Sequence, residues 1–219
     1  MAAAFRHVSD LPGVIPVFPL DGAIVMPRSQ LPLNIFEPRY LNMIDDAMAG
    51  DRLIGMVQSR DGMTGERPAL HGVGCVARLT SFSETSDGRY IITLSGLCRF
   101  QVGRELTAPS PYRRVEARFE PYAADLVGPG DDPPFDRSVF TATLKRYLDS
   151  RGLSVDDDAM AQAPLEALAN SLSMALPFDP PEKQMLLEAP DLDDRLDILQ
   201  AMLAINAAGG DDEDAPPMQ

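Results

Sequence analysis

A run of prolines constrains this chain more than any other feature. Residues 14–44 read VIPVFPLDGAIVMPRSQLPLNIFEPRYLNMI, and Pro16, Pro19, Pro27 and Pro32 break two apolar runs before Glu37-Pro38-Arg39-Tyr40 opens a helical pattern. Proline carries no backbone donor and is confined to strand edges, bulges and turns. The segment therefore predicts short, edge-like strands that feed a proline-started helix, the opening of a small, irregular β-barrel.

The barrel pattern continues to Tyr122, with a period of mostly two. Arg52–Gln58 (RLIGMVQ) is a short apolar strand, and Val73, Cys75, Ala77 and Leu79 alternate with Gly74, Val76, Arg78 and Thr80. Asp87-Gly88 signals a tight hairpin turn, which needs positive φ. Strands are then predicted at Tyr90–Leu94 and Cys98–Val102. Val115, Ala117 and Phe119 alternate with Arg114, Glu116, Arg118 and Glu120, so one face is buried and the other wet. In the single helix of this region Pro38 fits the first turn and Glu37 suits the positive end. Tyr40, Leu41, Ile44, Ala47 and Met48 form its apolar stripe, and Gly50 is read as a left-handed stop.

After the Gly/Pro-rich segment 123–134 the period becomes helical. Phe140, Leu144, Tyr147 and Leu148 share one face; Leu165, Leu168, Leu172 and Ala175 share another; Leu192, Leu196, Leu199 and Leu203 mark a last helix after Asp191. Asp179-Pro180-Pro181-Glu182 has the form of a capping box. The predicted organisation is α+β: an N-terminal arm (1–12), a β-barrel (13–122), a linker (123–134), a C-terminal helical bundle (135–206) and a disordered acidic tail (207–219).

Charge follows the same division. Residues 1–120 hold 13 basic and 13 acidic side chains, whereas residues 121–219 hold 6 and 20, which accounts for the whole net charge of −14. A nucleic-acid binder needs a clustered basic surface, and the second half offers the reverse. No apolar run approaches the roughly 20 residues of a membrane span, and the first residues lack the pattern of an export signal. A soluble cytoplasmic protein is expected. Cys75 and Cys98, the two cysteines, read as small buried hydrophobes of a reducing compartment, with a disulfide between them as the alternative.

The usual constellations for chemistry are missing. A phosphate-binding P-loop needs a Gly-Lys pair, and neither Lys145 nor Lys183 follows a glycine. Gly72-Val-Gly74-Cys-Val-Ala77 matches the dinucleotide fingerprint in form, but it leads into an alternating strand instead of the helix the pyrophosphate requires. His7 and His71 have no nucleophile motif beside them, and a Ser138–Lys145 dyad would rest on lysines read as solvated surface. His71, Cys75 and Cys98 lack the second closely spaced pair of a zinc site. Asp156–Asp158 and Asp191–Asp194 are read as helix N-terminal charges. No catalytic residue, cofactor or metal ligand is predicted.

Taken together, these segments resemble the N-terminal substrate-recognition domain of the Lon ATP-dependent proteases. The resemblance rests on Ile15–Leu20, Pro27–Phe36, Glu37–Met48, Val73–Ala77, Gly96–Arg99, Lys183–Glu188 and Asp191–Leu203. It implies a PUA-like β-barrel, of the type shared with pseudouridine-synthase-associated RNA-binding modules, followed by a helical bundle. Full-length Lon continues into an ATPase and a Ser–Lys peptidase, and this chain stops before both, so a stand-alone, non-catalytic module is expected. The implied activity is recognition of unfolded or exposed polypeptide segments, as an adaptor or holdase, with a protease or chaperone as a further partner. Glu37, Arg39 and Tyr40 are the candidate binding residues; helix capping, an ion pair and packing of the helix are their alternative roles. A second reading is a PUA-like small-ligand or RNA binder using Arg99, Arg104, Arg113, Arg114 and Arg118. Residual hydrolase activity is the third.

Overall fold

The computed structural model describes residues 5–60, 67–107, 109–154 and 156–209. The chain divides into two compact units, Met1–Pro129 with Pro177–Leu187, and Gly130–Leu176 with Glu188–Gln219. The architecture is α+β.

The first unit is built on six strands: β1 (Val14–Pro19), β2 (Gln30–Ile35), β3 (Leu53–Val57), β4 (Val73–Glu84), β5 (Tyr90–Glu105) and β6 (Arg113–Arg118). Their order is β2-β5-β4-β3-β1-β6, and β6 pairs again with β5, so five strands close a circuit and β2 hangs on β5. Ile15, Val17, Val76, Cys98, Phe100 and Val115 fill the interior.

The prolines are accommodated differently from the expectation. Strand β1 is no edge: it pairs in parallel with β3 and antiparallel with β6. The two pairings are staggered. Partners on β6 run from Val14 to Val17, and partners on β3 from Val17 to Pro19. Pro16 therefore has a partner on one side only, and its missing N–H is not needed by the other. Pro32 lies in β2, which pairs with β5 alone among the described residues, and there the edge rule holds.

The strands predicted at Tyr90–Leu94 and Cys98–Val102 are one, β5. Gly96 joins them at a register shift, where Ala77 pairs with Gly96 and Val76 with Cys98. A Cβ at Gly96 would lie 2.0 Å from the Met26 carbonyl oxygen, so the chain crosses there only without a side chain. The hairpin from β4 to β5 turns at Gly88, φ 80°, as its Asp-Gly pair requires.

Helix α1 (Pro38–Ala49) buries Tyr40, Met43, Ile44 and Ala47. Its stop departs from expectation: Gly50 has φ −118°, and the left-handed residue is Arg52, φ 61°, whose N–H donates to the Ala47 carbonyl. The predicted arm is part of this unit. Leu11 belongs to the core, and Phe5 and Val8 pack against it; residues 1–4 lie outside the described residues. A 3-10 helix, Glu120–Leu126, takes up the start of the segment read as linker.

Helix α5 (Pro180–Glu188) was expected in the bundle, yet all but its last residue belongs to the first unit. Long-range polar contacts decide this. Gln58 Nε2 donates to the Pro180 carbonyl and to Gln184 Oε1, Gln184 Nε2 to the Val73 carbonyl, and Lys183 Nζ to the Gly22 carbonyl at 2.9 Å. Half of the predicted capping box forms, with the Asp179 N–H donating to Glu182 Oε2 at 2.9 Å.

The second unit holds α2 (Arg137–Ser150), α3 (Asp157–Gln162), α4 (Leu165–Ala175) and α6 (Leu192–Gly209). Asp136 caps α2 by accepting from the Ser138 and Val139 N–H groups. Leu165, Ala169 and Leu196 form a core against which Phe135 and Leu192 pack. Helix α6 continues through Ala207 and Ala208 to Gly209, into the segment read as tail; the rest of that tail, 210–219, lies outside the described residues.

Candidate functional site

Glu37, Arg39 and Tyr40 come together at the start of α1. Glu37 is the N-cap residue, but its carboxylate makes no cap hydrogen bond. It accepts instead from Arg39 Nε at 2.9 Å and lies 2.8 Å from Nη2. The Arg39 guanidinium carbon sits 4.5 Å from the centre of the Tyr40 ring. That ring meets Phe18, at the end of β1, with centroids 4.2 Å apart. Tyr40 is buried, and burial pushes its phenol above the ordinary tyrosine value, with the Arg39 charge opposing. Pairing and packing thus fix the helix start, without the side-chain cap.

Beside this stack lies a groove of about 140 Å³, lined by Phe18, Pro19, Leu20, Leu33, Asn34, Ile35, Phe36, Glu37 and Tyr40. Its size is close to the roughly 150 Å³ of a cavity that accepts a benzene ring. Its walls are mostly apolar, and Glu37, which pairs with Arg39, is the one charged residue lining it. Phe36 is the residue that sequence reasoning passed over. Leu31, Leu33 and Ile35 alternate inward along β2, and Phe36 follows out of phase, 64% exposed. That break in alternation was the available signal. Phe18 and Leu33 carried none, since reading them as groove walls needs the tertiary fold.

The groove adjoins the edge of β2 that has no strand partner among the described residues, and the outer end of the β4–β5 hairpin. Ile91 stands opposite Asn34 and Ser83 in the register, and Ile35 opposite Tyr90. Ile91 and Phe82 are also exposed apolar residues, and the Phe82 and Tyr90 rings meet edge to face at 4.8 Å.

The other candidates fall differently. Arg99 is buried and paired with Asp125 at 2.9 Å; Arg104 pairs with Glu116 and Arg113 with Glu105. Lys183, read as solvated, is buried, and burial lowers its pKa. The Ser138 hydroxyl donates to Asp136 Oδ1 at 2.6 Å, serving the helix cap. Cys75 and Cys98 are free, buried thiols, and burial pushes Cys98 up to about 12. Among the described residues no group of three or more His, Cys, Asp or Glu is arranged to hold a metal, and no helix is long and apolar enough to cross a membrane.

Comparison with known proteins fits this fold. Residues 14–204 match the model of the ATP-dependent protease La (LON) substrate-binding domain. A Lon protease of Syntrophus aciditrophicus is 27% identical over 198 residues, covering 85% of this chain and 24% of that protein. A Lon protease of Anaeromyxobacter dehalogenans is 34% identical over 113 residues, 51% of this chain and 13% of that protein. The chain thus spans about a quarter, or less, of the length of these curated relatives. Among solved structures, a Lon N-terminal domain protein from Xanthomonas campestris superposes with a TM-score of 0.60 at 23% identity, over 86% of this chain and 97% of that one. The N-terminal domain of a Mycobacterium avium complex Lon protease gives 0.57 at 18% identity, over 87% and 98%. Both share the fold. The chain belongs to the Lon substrate-binding domain family.

Proposed function

We propose that this chain is a non-catalytic polypeptide-recognition module, an adaptor or holdase for unfolded or exposed protein segments, working in the cytoplasm beside a protease or chaperone. One observation carries the reading: an apolar groove with an exposed phenylalanine, Phe36, adjoins a strand edge that has no partner among the described residues. Extended polypeptide is recognised by this combination, with backbone hydrogen bonds to the edge and side chains in pockets. Family membership supports the same reading. In this reading Glu37 and Tyr40 contribute from the groove wall, and Arg39 acts by holding both. The closed circuit of strands favours reading the first unit as a PUA-like barrel, and the helices of the second as a bundle.

An RNA-binding role has less support. Three of the five arginines that would carry it are already paired with carboxylates, and one of those is buried, which leaves little of the basic surface that phosphates require.

The test is binding of a reduced, carboxymethylated model protein by wild type, Phe36→Ser and Arg39→Ala. Weakening by Phe36→Ser of about tenfold, 1.4 kcal/mol, at an unchanged melting temperature is expected. Unchanged affinity in both variants removes the groove assignment.

A further inference from the structure

The end of β1 away from the polypeptide groove opens onto a second cavity, and Pro16 gives the reason. Parallel pairing of β1 with β3 begins at Val17 and Gly55. One repeat earlier the same ladder would set the Leu53 carbonyl against the Pro16 nitrogen, which has no hydrogen to donate. The pairing stops there, and a cavity of about 260 Å³ is lined by Val14 and Pro16 of β1, Leu53 of β3 and Ala47 of α1. That volume exceeds the roughly 150 Å³ that holds a benzene ring and falls just short of the roughly 300 Å³ at which pockets for drug-sized ligands begin. A small molecule fits it.

Four charged side chains line the same cavity: Asp46, Asp51, Arg52 and Arg114. Asp46 accepts the Tyr112 hydroxyl at 2.6 Å, and burial pushes that phenol up to about 12, so it keeps its proton and remains a donor. Among the described residues, Asp51, Arg52 and Arg114 make no side-chain hydrogen bond or ion pair. Arg52 also holds a left-handed backbone, φ 61°. Glycine takes that conformation freely, whereas a residue with a Cβ is strained in it. The Arg52 side chain is exposed, so burial does not offset the strain, and strain of this kind gathers at ligand sites.

The walls select a class of occupant. Two guanidinium groups suit a carboxylate. Two carboxylates suit an ammonium, as does the Leu53 carbonyl, to which Pro16 offers no donor. Pro12, Val14 and Pro16 suit an apolar side chain. With two charges of each sign, the cavity favours neither a plain anion nor a plain cation. We propose that it is a binding site for a free α-amino acid with an apolar side chain. Arg52 and Arg114 take the carboxylate, Asp46 and Asp51 the ammonium, and the two prolines the side chain. The polypeptide groove lies at the other end of β1, against Phe18 and Pro19, so the two sites are separate.

The experiment titrates the full chain, labelled with ¹⁵N, with leucine and follows the backbone amide signals of Arg52, Leu53 and Tyr112. Saturable shifts at these residues are expected. Leucinamide, which lacks the carboxylate, and N-acetyl-leucine, which lacks the ammonium and mimics a polypeptide C-terminus, should each bind more weakly by about tenfold or more. Arg52→Gly removes the guanidinium and relieves the backbone; it should keep the wild-type melting temperature and weaken leucine binding by about tenfold or more. Asp51→Asn, at an exposed position, should do the same. A titration without saturable shifts overturns the proposal. So does leucinamide, N-acetyl-leucine or inorganic phosphate binding as tightly as leucine, which would make the cavity a cation, chain-terminus or plain anion site. Leucine binding that survives both substitutions overturns it as well.

Discussion

Arg99 grips Asp125 through two parallel hydrogen bonds, Nε to Oδ2 and Nη2 to Oδ1, each 2.9 Å, with side-chain exposures of 5% and 8%. The Arg99 backbone N–H donates to the same carboxylate at 2.9 Å, and Nη1 reaches the Leu187 carbonyl at 3.3 Å. One buried pair thus joins β5, the 3-10 helix Glu120–Leu126 and the end of α5. Removing one partner leaves a buried charge uncompensated, which costs about 3–5 kcal/mol. Asp125→Ala should lose about that much in urea unfolding. Arg99→Met with Asp125→Leu should recover part of it but not all, since the Arg99 backbone donor is still left without its carboxylate. An Asp125→Ala variant as stable as wild type contradicts this account.

Phe36 and Tyr40 are four residues apart and play opposite parts. Phe36 is 64% exposed and Tyr40 4%. Phe36→Ser should shift stability by no more than about 0.5 kcal/mol while weakening polypeptide binding. Tyr40→Ala removes a packed ring and should cost about 3–5 kcal/mol. Thermal unfolding and the binding assay together separate the two. Equal destabilisation would mean that Phe36 is a packing residue.

Gly96 and Gly72 form a matched pair of tests. A Cβ at Gly96 meets the Met26 carbonyl oxygen at 2.0 Å, whereas one at Gly72 meets nothing within 4 Å. Backbone is the obstacle at Gly96, so Gly96→Ala should cost about 1–3 kcal/mol or more. Gly72→Ala should stay within about 0.5 kcal/mol. Chemical denaturation of the two variants checks the contrast.

Acid stability should depend on Glu105. Its carboxylate accepts from Arg113 Nε and Nη2 at 3.0 and 2.6 Å, and from Arg67 at 2.7 Å. Hydrogen bonding to Arg113 chiefly holds its pKa below the ordinary glutamate value, against the effect of partial burial. The folded state therefore binds this proton more weakly than the unfolded chain. The stabilisation is complete above the unfolded value and is lost as pH falls through the lowered folded one. Glu105→Gln should flatten the fall in stability as pH drops below the ordinary glutamate value of about 4.3. A wild-type slope in that variant rules out the contribution.

Sequence reading recovered what neighbouring residues decide. Pro38 and the stripe through Tyr40, Ile44 and Ala47 specify α1, because a proline start and a 3.6-residue period are local properties. Asp87-Gly88 specifies its hairpin turn for the same reason, and Glu182 acts at the helix start where its capping box was read. The groove was half legible. Glu37, Arg39 and Tyr40 stood out as a cluster, while Phe36 showed only as a break in alternation and Phe18 not at all.

What the sequence by itself determined was most of the strands and helices, though not that Tyr90–Leu94 and Cys98–Val102 form one strand, together with the family they spell and the charge division between the halves. Tertiary structure alone decided the rest. Pro16 sits inside the sheet because β3 and β6 pair with β1 in staggered registers. Lys183 and Arg99, ordinary surface residues by type, are buried because Gly22, Asp125 and Leu187 bring acceptors to them. Helix α5 belongs to the first unit because Gln58 and Val73 bond to it across more than a hundred residues. Propensity and periodicity act over one or two turns, whereas the burial of a polar group depends on a partner that only the folded chain brings within reach.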